Sequence, residues 1–188
     1  MSGNTRSSAP DAAGLVVVAL FAVSLATAAA LQAPALPQLA HDAAPGLVLQ
    51  GGGEMTFFGL SIYNGHYWSA QRGYSLDHPF ALDLQYQRRF DGRKIAERSV
   101  DEIEQLGFGT APERKHWGDE MARIFPNVAK GDRLTGLFVP PGLVRYFHNG
   151  KPIGEIADPG FARAFFGIWF DPRTSRAEFR KKLLGETP

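Results

Sequence analysis

The stretch Gly131–Phe170, GDRLTGLFVPPGLVRYFHNGKPIGEIADPGFARAFFGIWF, constrains the fold of this chain more than any other. Leu134 to Val139 alternates as a strand, and Pro140-Pro141-Gly142 predicts a tight turn. Leu143 to Phe147 returns as a second strand. Asn149-Gly150 is the pair favoured in a two-residue type I′ hairpin turn, so Ile153 to Ile156 continues as a third strand. Asp158-Pro159 then caps and opens a helix, with proline at its permitted first-turn place. Phe161, Phe165, Ile168 and Trp169 mark one face of that helix. Phe166 and Phe170 make its other side apolar too, which predicts burial on most sides. An antiparallel meander leading into a buried helix needs the rest of the chain to supply more sheet and more helix.

The preceding residues do so. Residues 46–70 read as strand, glycine turn at Gly51-Gly52-Gly53, and strand, with Asn64-Gly65 as a further hairpin or bulge signal. Phe80, Leu82, Leu84 and Tyr86 alternate with polar or small residues as a clean half-buried strand. The period then changes. Ser99-Val100-Asp101-Glu102 predicts a capping box, followed by a helix stopped by Gly107. A second helix is predicted over about Pro112 to Phe125, with Trp117, Met121, Ile124 and Phe125 on one face. Ser175 to Glu178 predicts another capping box before a closing helix. The order of elements gives an α+β fold: an antiparallel sheet with a helical layer on one face.

The N-terminal part differs in kind. Ala12 to Leu31 is nearly unbroken in apolar residues, and Ala26, Ala28, Ala29 and Ala30 offer small-residue cleavage positions. This is the order of a secretory signal peptide, expected over residues 1–30 and to be removed on export to the periplasm. Retained, a run of about 20 apolar residues is long enough to anchor the chain in a membrane. Residues 31–46 read as a Pro/Ala-rich linker and 47–188 as one domain.

The composition excludes several function classes. The 20 Lys and Arg balance 19 Asp and Glu, so no basic excess favours nucleic acid. RKIAER and FRKK read as solvated helix faces. Cysteine is absent, which rules out thiolate metal sites, iron–sulfur clusters and Cys nucleophiles. His41, His66, His78, His116 and His148 have no metal-ligand spacing. The glycine triplet lacks the lysine and helix of a phosphate loop. There is no G-x-S-x-G nucleophile elbow. No cofactor and no metal are expected. The aromatic load, 14 Phe, 5 Tyr and 3 Trp, first implies core. It also allows an apolar cleft where sheet and helices do not close fully.

The Gly131–Phe170 stretch with its continuation DPRTSRAEFRKKLLG resembles the bacterial chalcone isomerase-like proteins. LSIYNGHYWSA, LDLQYQRRFDGRKIAERSVDEIEQLG and IFPNVAKGDRL carry the same resemblance, from Leu47 to Gly185. It implies the open-faced β-sandwich of the chalcone isomerase and fatty-acid-binding superfamily. In that superfamily a strand arginine stabilises developing negative charge or holds a carboxylate, assisted by Thr and Tyr hydroxyls. The matching stretch here is Gly51-Gly52-Gly53-Glu54-Met55, which puts Met55 at the arginine position and so removes the main electrostatic contribution to such a reaction. The strand threonine falls at Tyr63, and Thr174 matches a Thr or Ser near the last helix. Arg88, Arg89 and Arg145 are the arginines left to reach a cleft, Arg145 alternating with Leu143 and Phe147; an edge or salt-bridged arginine is the preferred reading of it. Tyr63, Tyr86, Arg145 and Thr174 are therefore the candidate ligand-binding residues, with no catalytic residue assigned. The expected function is an exported, non-catalytic protein that binds an apolar small molecule such as a fatty acid. Two alternatives stay open: an isomerase (intramolecular lyase) on an unidentified substrate, and an envelope protein that binds a partner and has no ligand site.

Overall fold

The computed structural model describes Met1 and residues 36–186. The expected signal peptide lies outside the described residues. Six strands follow one another in a single antiparallel sheet in sequence order: β1 (Val48–Phe57), β2 (Leu60–Ser69), β3 (Phe80–Tyr86), β4 (Arg133–Val139), β5 (Leu143–His148) and β6 (Lys151–Ala157). Two helices, α2 (Gly92–Gln105) and α3 (Ala111–Ile124), fill the crossover between β3 and β4. Two more, α4 (Pro159–Phe170) and α5 (Ala177–Leu183), follow β6. These four form the expected layer on one face.

The period-2 pattern explains the inner face. Phe80, Leu82, Leu84 and Tyr86 of β3 meet Leu134 and Phe138 of β4, and Val144 and Tyr146 of β5, in one core. Helix α4 lies on that core with nine buried residues out of twelve, as its all-round apolar sequence requires. Asp158 caps it, its side chain accepting from the N–H groups of Gly160 and Phe161. Trp117 Nε1–H donates to the same carboxylate at 2.9 Å and ties α3 to the start of α4.

Several local expectations are corrected. Residues 36–46 are not a free linker: α1 (Gln38–Ala43) packs Leu36, Ala40, Ala44 and Leu47 against Trp68, Ala81, Leu137 and Phe147 on the outer face of the sheet. Ser99 is not a helix cap. Helix α2 begins seven residues earlier, capped by Asp91, and Ser99 Oγ donates to the Ile95 carbonyl inside it. The capping box of α3 is instead Thr110 with Glu113. Ser175 does not cap α5, whose N-cap is Arg176 without a side-chain hydrogen bond.

The glycine triplet is not a turn either. Gly51, Gly52 and Gly53 lie inside β1, and Asn64-Gly65 lies inside β2, paired with Glu54 and Gly53. The reason is tertiary. A Cβ on Gly51 would stand 2.6 Å from Gly185 N and 2.7 Å from Leu183 O, and one on Gly65 would stand 2.6 Å from the Phe179 ring. The C-terminal end of α5 sits on the bare backbone of these strands. The β1–β2 turn is Phe58-Gly59, both at positive φ (48° and 73°), the same left-handed pair seen at Asn149-Gly150 (50° and 79°).

On the outer face, Asp83 of β3 is fully buried. Arg133 of β4 binds it through Nε and Nη, and Thr135 Oγ1 donates to it at 2.7 Å. His66 Nδ1 stands 3.9 Å from the carboxylate. Burial pushes the Asp83 carboxyl up, but His66, Arg133 and Thr135 outweigh it and hold its pKa below the usual carboxylate range.

Candidate functional site: an apolar cavity with a cationic rim

A cavity of about 350 Å³ lies between β1–β4 and the layer formed by α2 and α4. Met55, Leu84, Tyr86 and Leu134 line it from the sheet, Phe165, Ile168 and Trp169 from α4, and Ile95 and Ser99 from α2. Its volume falls in the range of small-molecule sites, about 300–1,000 Å³. The lining is almost wholly hydrocarbon and aromatic. The charged groups at its edge are Lys94, Arg98 and Glu102 of α2, and Arg176. Lys94 and Arg98 are exposed, which places them at the solvent side. Arg98 is ion-paired to Glu102. The Arg176 guanidinium carbon lies 4.8 Å from the centre of the Phe57 ring, a cation–π contact.

The structure separates the four candidate residues. Tyr63 and Tyr86 are cross-strand partners, their rings 5.9 Å apart, and both line the cavity. Tyr63 Oη accepts from Trp169 Nε1–H at 2.9 Å. Burial lifts the Tyr63 phenol to about 12, the Trp169 hydrogen bond and the Arg176 charge offsetting only part of that rise. Tyr86 is pushed up as well, by burial and then by Tyr63. Both phenols are therefore neutral at ordinary pH: they offer hydroxyls and no base.

Arg145 and Thr174 do not line this cavity. Arg145 shares the outer face of β5 with Phe147 and pairs with Glu155 of β6 at 3.4 Å, the salt-bridged arginine that its alternation allowed. Thr174 is buried, but its Oγ1 donates to the Ile168 carbonyl at 2.6 Å and accepts from Arg176 N–H at 3.2 Å. It joins the end of α4 to the start of α5. Arg88 and Arg89 are exposed in the loop after β3 and do not line the cavity either. Met55 is in the wall, directly opposite Tyr63 in the β1–β2 ladder.

The family profile described as chalcone isomerase-like matches residues 28–185. The chain belongs to the chalcone isomerase-like family. An uncharacterised protein of Haemophilus influenzae is 29% identical over 112 residues, covering 59% of this chain. The aligned part spans 54% of that relative's length. Among solved structures, the crystal structure of a fatty-acid binding protein of Arabidopsis thaliana is similar, with a TM-score of 0.60 at 11% identity. The match covers 76% of this chain and 88% of that one. At that identity the likeness is one of fold.

Sequence reasoning missed the α2 contribution to the cavity of this chalcone isomerase-like protein. Lys94, Ile95, Arg98, Ser99 and Glu102 follow helical spacing and form one stripe. Placing the helix start at Ser99 cut that stripe in two, and RKIAER read as a solvated face. Asp91, capping the backbone N–H groups of Arg93 and Lys94, was the local signal for the earlier start.

The Tyr63–Trp169 bond gives a direct test of the cavity wall. Tyr63→Phe leaves the indole N–H without its acceptor at a site where Trp169 is buried. We expect a loss of about 1–2 kcal/mol in urea unfolding, because an unmet buried donor costs more than the net value of its hydrogen bond. An unchanged midpoint would show that water in the cavity replaces the phenol fully.

Proposed function

We propose that this chain binds an anionic, largely apolar small molecule of the fatty-acid type and does not catalyse a reaction on it. The observation that carries this reading is the distribution of charge in the cavity: a hydrocarbon and aromatic interior, with three cations and one carboxylate at its edge. Such a site favours a ligand with an apolar body and an anionic end, the body gaining from transfer out of water and the end from the rim. The position that resembles the superfamily's arginine carries Met55, so the interior lacks a cation to stabilise charge developing on a reacting atom. The neutral phenols of Tyr63 and Tyr86 supply no base. The fatty-acid-binding structure with a similar fold supports the ligand class.

The reading includes export. The run Ala12–Leu31 with its alanine-rich end supports a signal peptide and a periplasmic location.

Native mass spectrometry of the full chain purified from its own cells tests the ligand. A co-purifying fatty acid is the expected result, and a consistently empty protein would count against the proposal. Displacement of a fluorescent polyene fatty acid gives the quantitative version. Ile95→Trp, which projects a larger ring into the cavity from a partly exposed helix position, should weaken binding at least about tenfold. Its stability should change little, because an existing void receives the added atoms. Equal affinity in the variant would place the probe elsewhere.

A further inference from the structure

The tip of the β1–β2 hairpin is apolar and exposed. Phe58 is 89% exposed, Leu60 51% and Phe57 42%. Phe58 also has φ 48°, a left-handed conformation that bulky residues rarely adopt. The chain uses the same turn at Asn149-Gly150, where the first position holds the residue type that tolerates it best. At the β1–β2 tip that position holds a phenylalanine with its ring 4.4 Å from that of Phe57 and facing solvent. A strained, unpacked aromatic is a cost to folding that its own contacts do not offset.

The tip adjoins the cavity rim. Phe57 lines the cavity and carries Arg176 on its face, and Lys94 and Arg98 stand at the same mouth. Glu102, the one carboxylate in the cavity lining, is ion-paired to Arg98, and among the described residues neither Lys94 nor Arg176 forms a salt bridge.

We propose that Phe57, Phe58 and Leu60 insert into an anionic lipid bilayer, with Lys94, Arg98 and Arg176 held at its headgroups, so that the cavity opens onto the membrane surface. A bilayer fits better than a second copy of the chain. The three side chains offer roughly 350 Å² of exposed apolar surface, well below the ~800 Å² per partner of a stable protein interface. Apolar groups in the boundary region combined with cations facing anionic headgroups are what an interfacial anchor needs. The proposal deepens the lipid-binding reading by giving the ligand a source, and it rests on that reading only for what enters the cavity.

The test uses the full-length chain with Phe58→Trp, since Trp68, Trp117 and Trp169 are buried and contribute a background that the unsubstituted chain measures. Mixed with phosphatidylglycerol/phosphatidylcholine vesicles, the added indole should shift to the blue and be quenched by bromine-labelled acyl chains. The effect should fall about tenfold or more on pure phosphatidylcholine, and likewise with Lys94→Glu plus Arg176→Glu. Because the indole reports the depth of the tip itself, anchoring by the N-terminal apolar run does not imitate the result. A water-exposed indole in the presence of anionic vesicles overturns the proposal. So does a blue shift without vesicles: concentration-dependent, it assigns the tip to a second copy; concentration-independent, to the chain's own N-terminal segment. Occupancy of the cavity is read on the same sample by native mass spectrometry. An occupied cavity with a wet tip refutes the docking alone, and an empty cavity with a quenched tip refutes the fatty-acid reading alone.

Discussion

Asp83→Ala should destabilise the protein by about 3 kcal/mol, roughly 6–12 °C in Tm. Asp83 is 0% exposed and accepts from both Arg133 and Thr135 across the β3–β4 ladder. Removing it leaves the guanidinium without its carboxylate and Thr135 Oγ1 without its acceptor. Arg133 is itself partly exposed and recovers some hydration, which keeps the loss at the low end of what breaking a buried pair costs. Asp83→Asn should lose most of the same amount, since it keeps an acceptor but not the charge.

The acid limb supplies an independent check. The folded-state pKa of Asp83 is depressed. Its contribution is therefore fully present above the unfolded-state value, about 3.9, and is lost as pH falls through the lower folded-state value. Unfolding free energies from neutral pH to about pH 2 should show a steep drop below about pH 4 in the native sequence and a shallower one in Asp83→Ala. Parallel curves, or a neutral-pH difference under about 0.5 kcal/mol, would show that the pair adds no net stability.

Gly51→Ala should be the most damaging single-methyl change in the sheet. In an ordinary strand, alanine in place of glycine stabilises by roughly 0.5–1 kcal/mol. Here the new Cβ meets the backbone of the α5 C-terminus at Gly185 and Leu183, and more closely still at Lys182 O. Backbone cannot rotate aside, so α5 must lift from β1. We expect a loss of about 3 kcal/mol or more, with amide exchange accelerated over residues 177–185. Gly53→Ala is the control. Its Cβ would stand 2.8 Å from Lys182 Cδ, part of a flexible exposed side chain that can move, so its effect should stay within about 1 kcal/mol. Equal effects at the two positions would remove the account of Gly51 as the seat for the end of α5.

These residues also show how far the sequence could be read. Asn149-Gly150 was legible because a type I′ turn is a local demand, and its two φ values meet it. The β3 alternation and the all-apolar α4 were legible because burial writes period 2 or no period directly into the residues. Gly51 to Gly53 were misread as a turn because the close approaches are tertiary: Gly51 faces the end of a helix more than 120 residues later in the chain, and Gly52 faces Gly65 and His66 of the neighbouring strand. Ser99 was misread as a cap because its hydroxyl bonds backward to Ile95 within the helix. Tyr63 and Tyr86 came together at the cavity because strand register set them opposite each other. Arg145 lies away from the cavity, which sequence could not show because alternation places it on a face but does not say which face the helices cover.

The sequence by itself determined the antiparallel sheet, the helical layer and the family, since each is carried by local periodicity or by residues in linear order. Only the tertiary structure decided that sheet and helices leave a cavity, that α2 brings Lys94 and Arg98 to its rim, and that Arg176 meets Phe57 beside the exposed hairpin tip. A core and a cleft draw on the same apolar residues. Which of the two forms depends on how closely one layer approaches the other, and that distance is set by contacts between elements far apart in the chain.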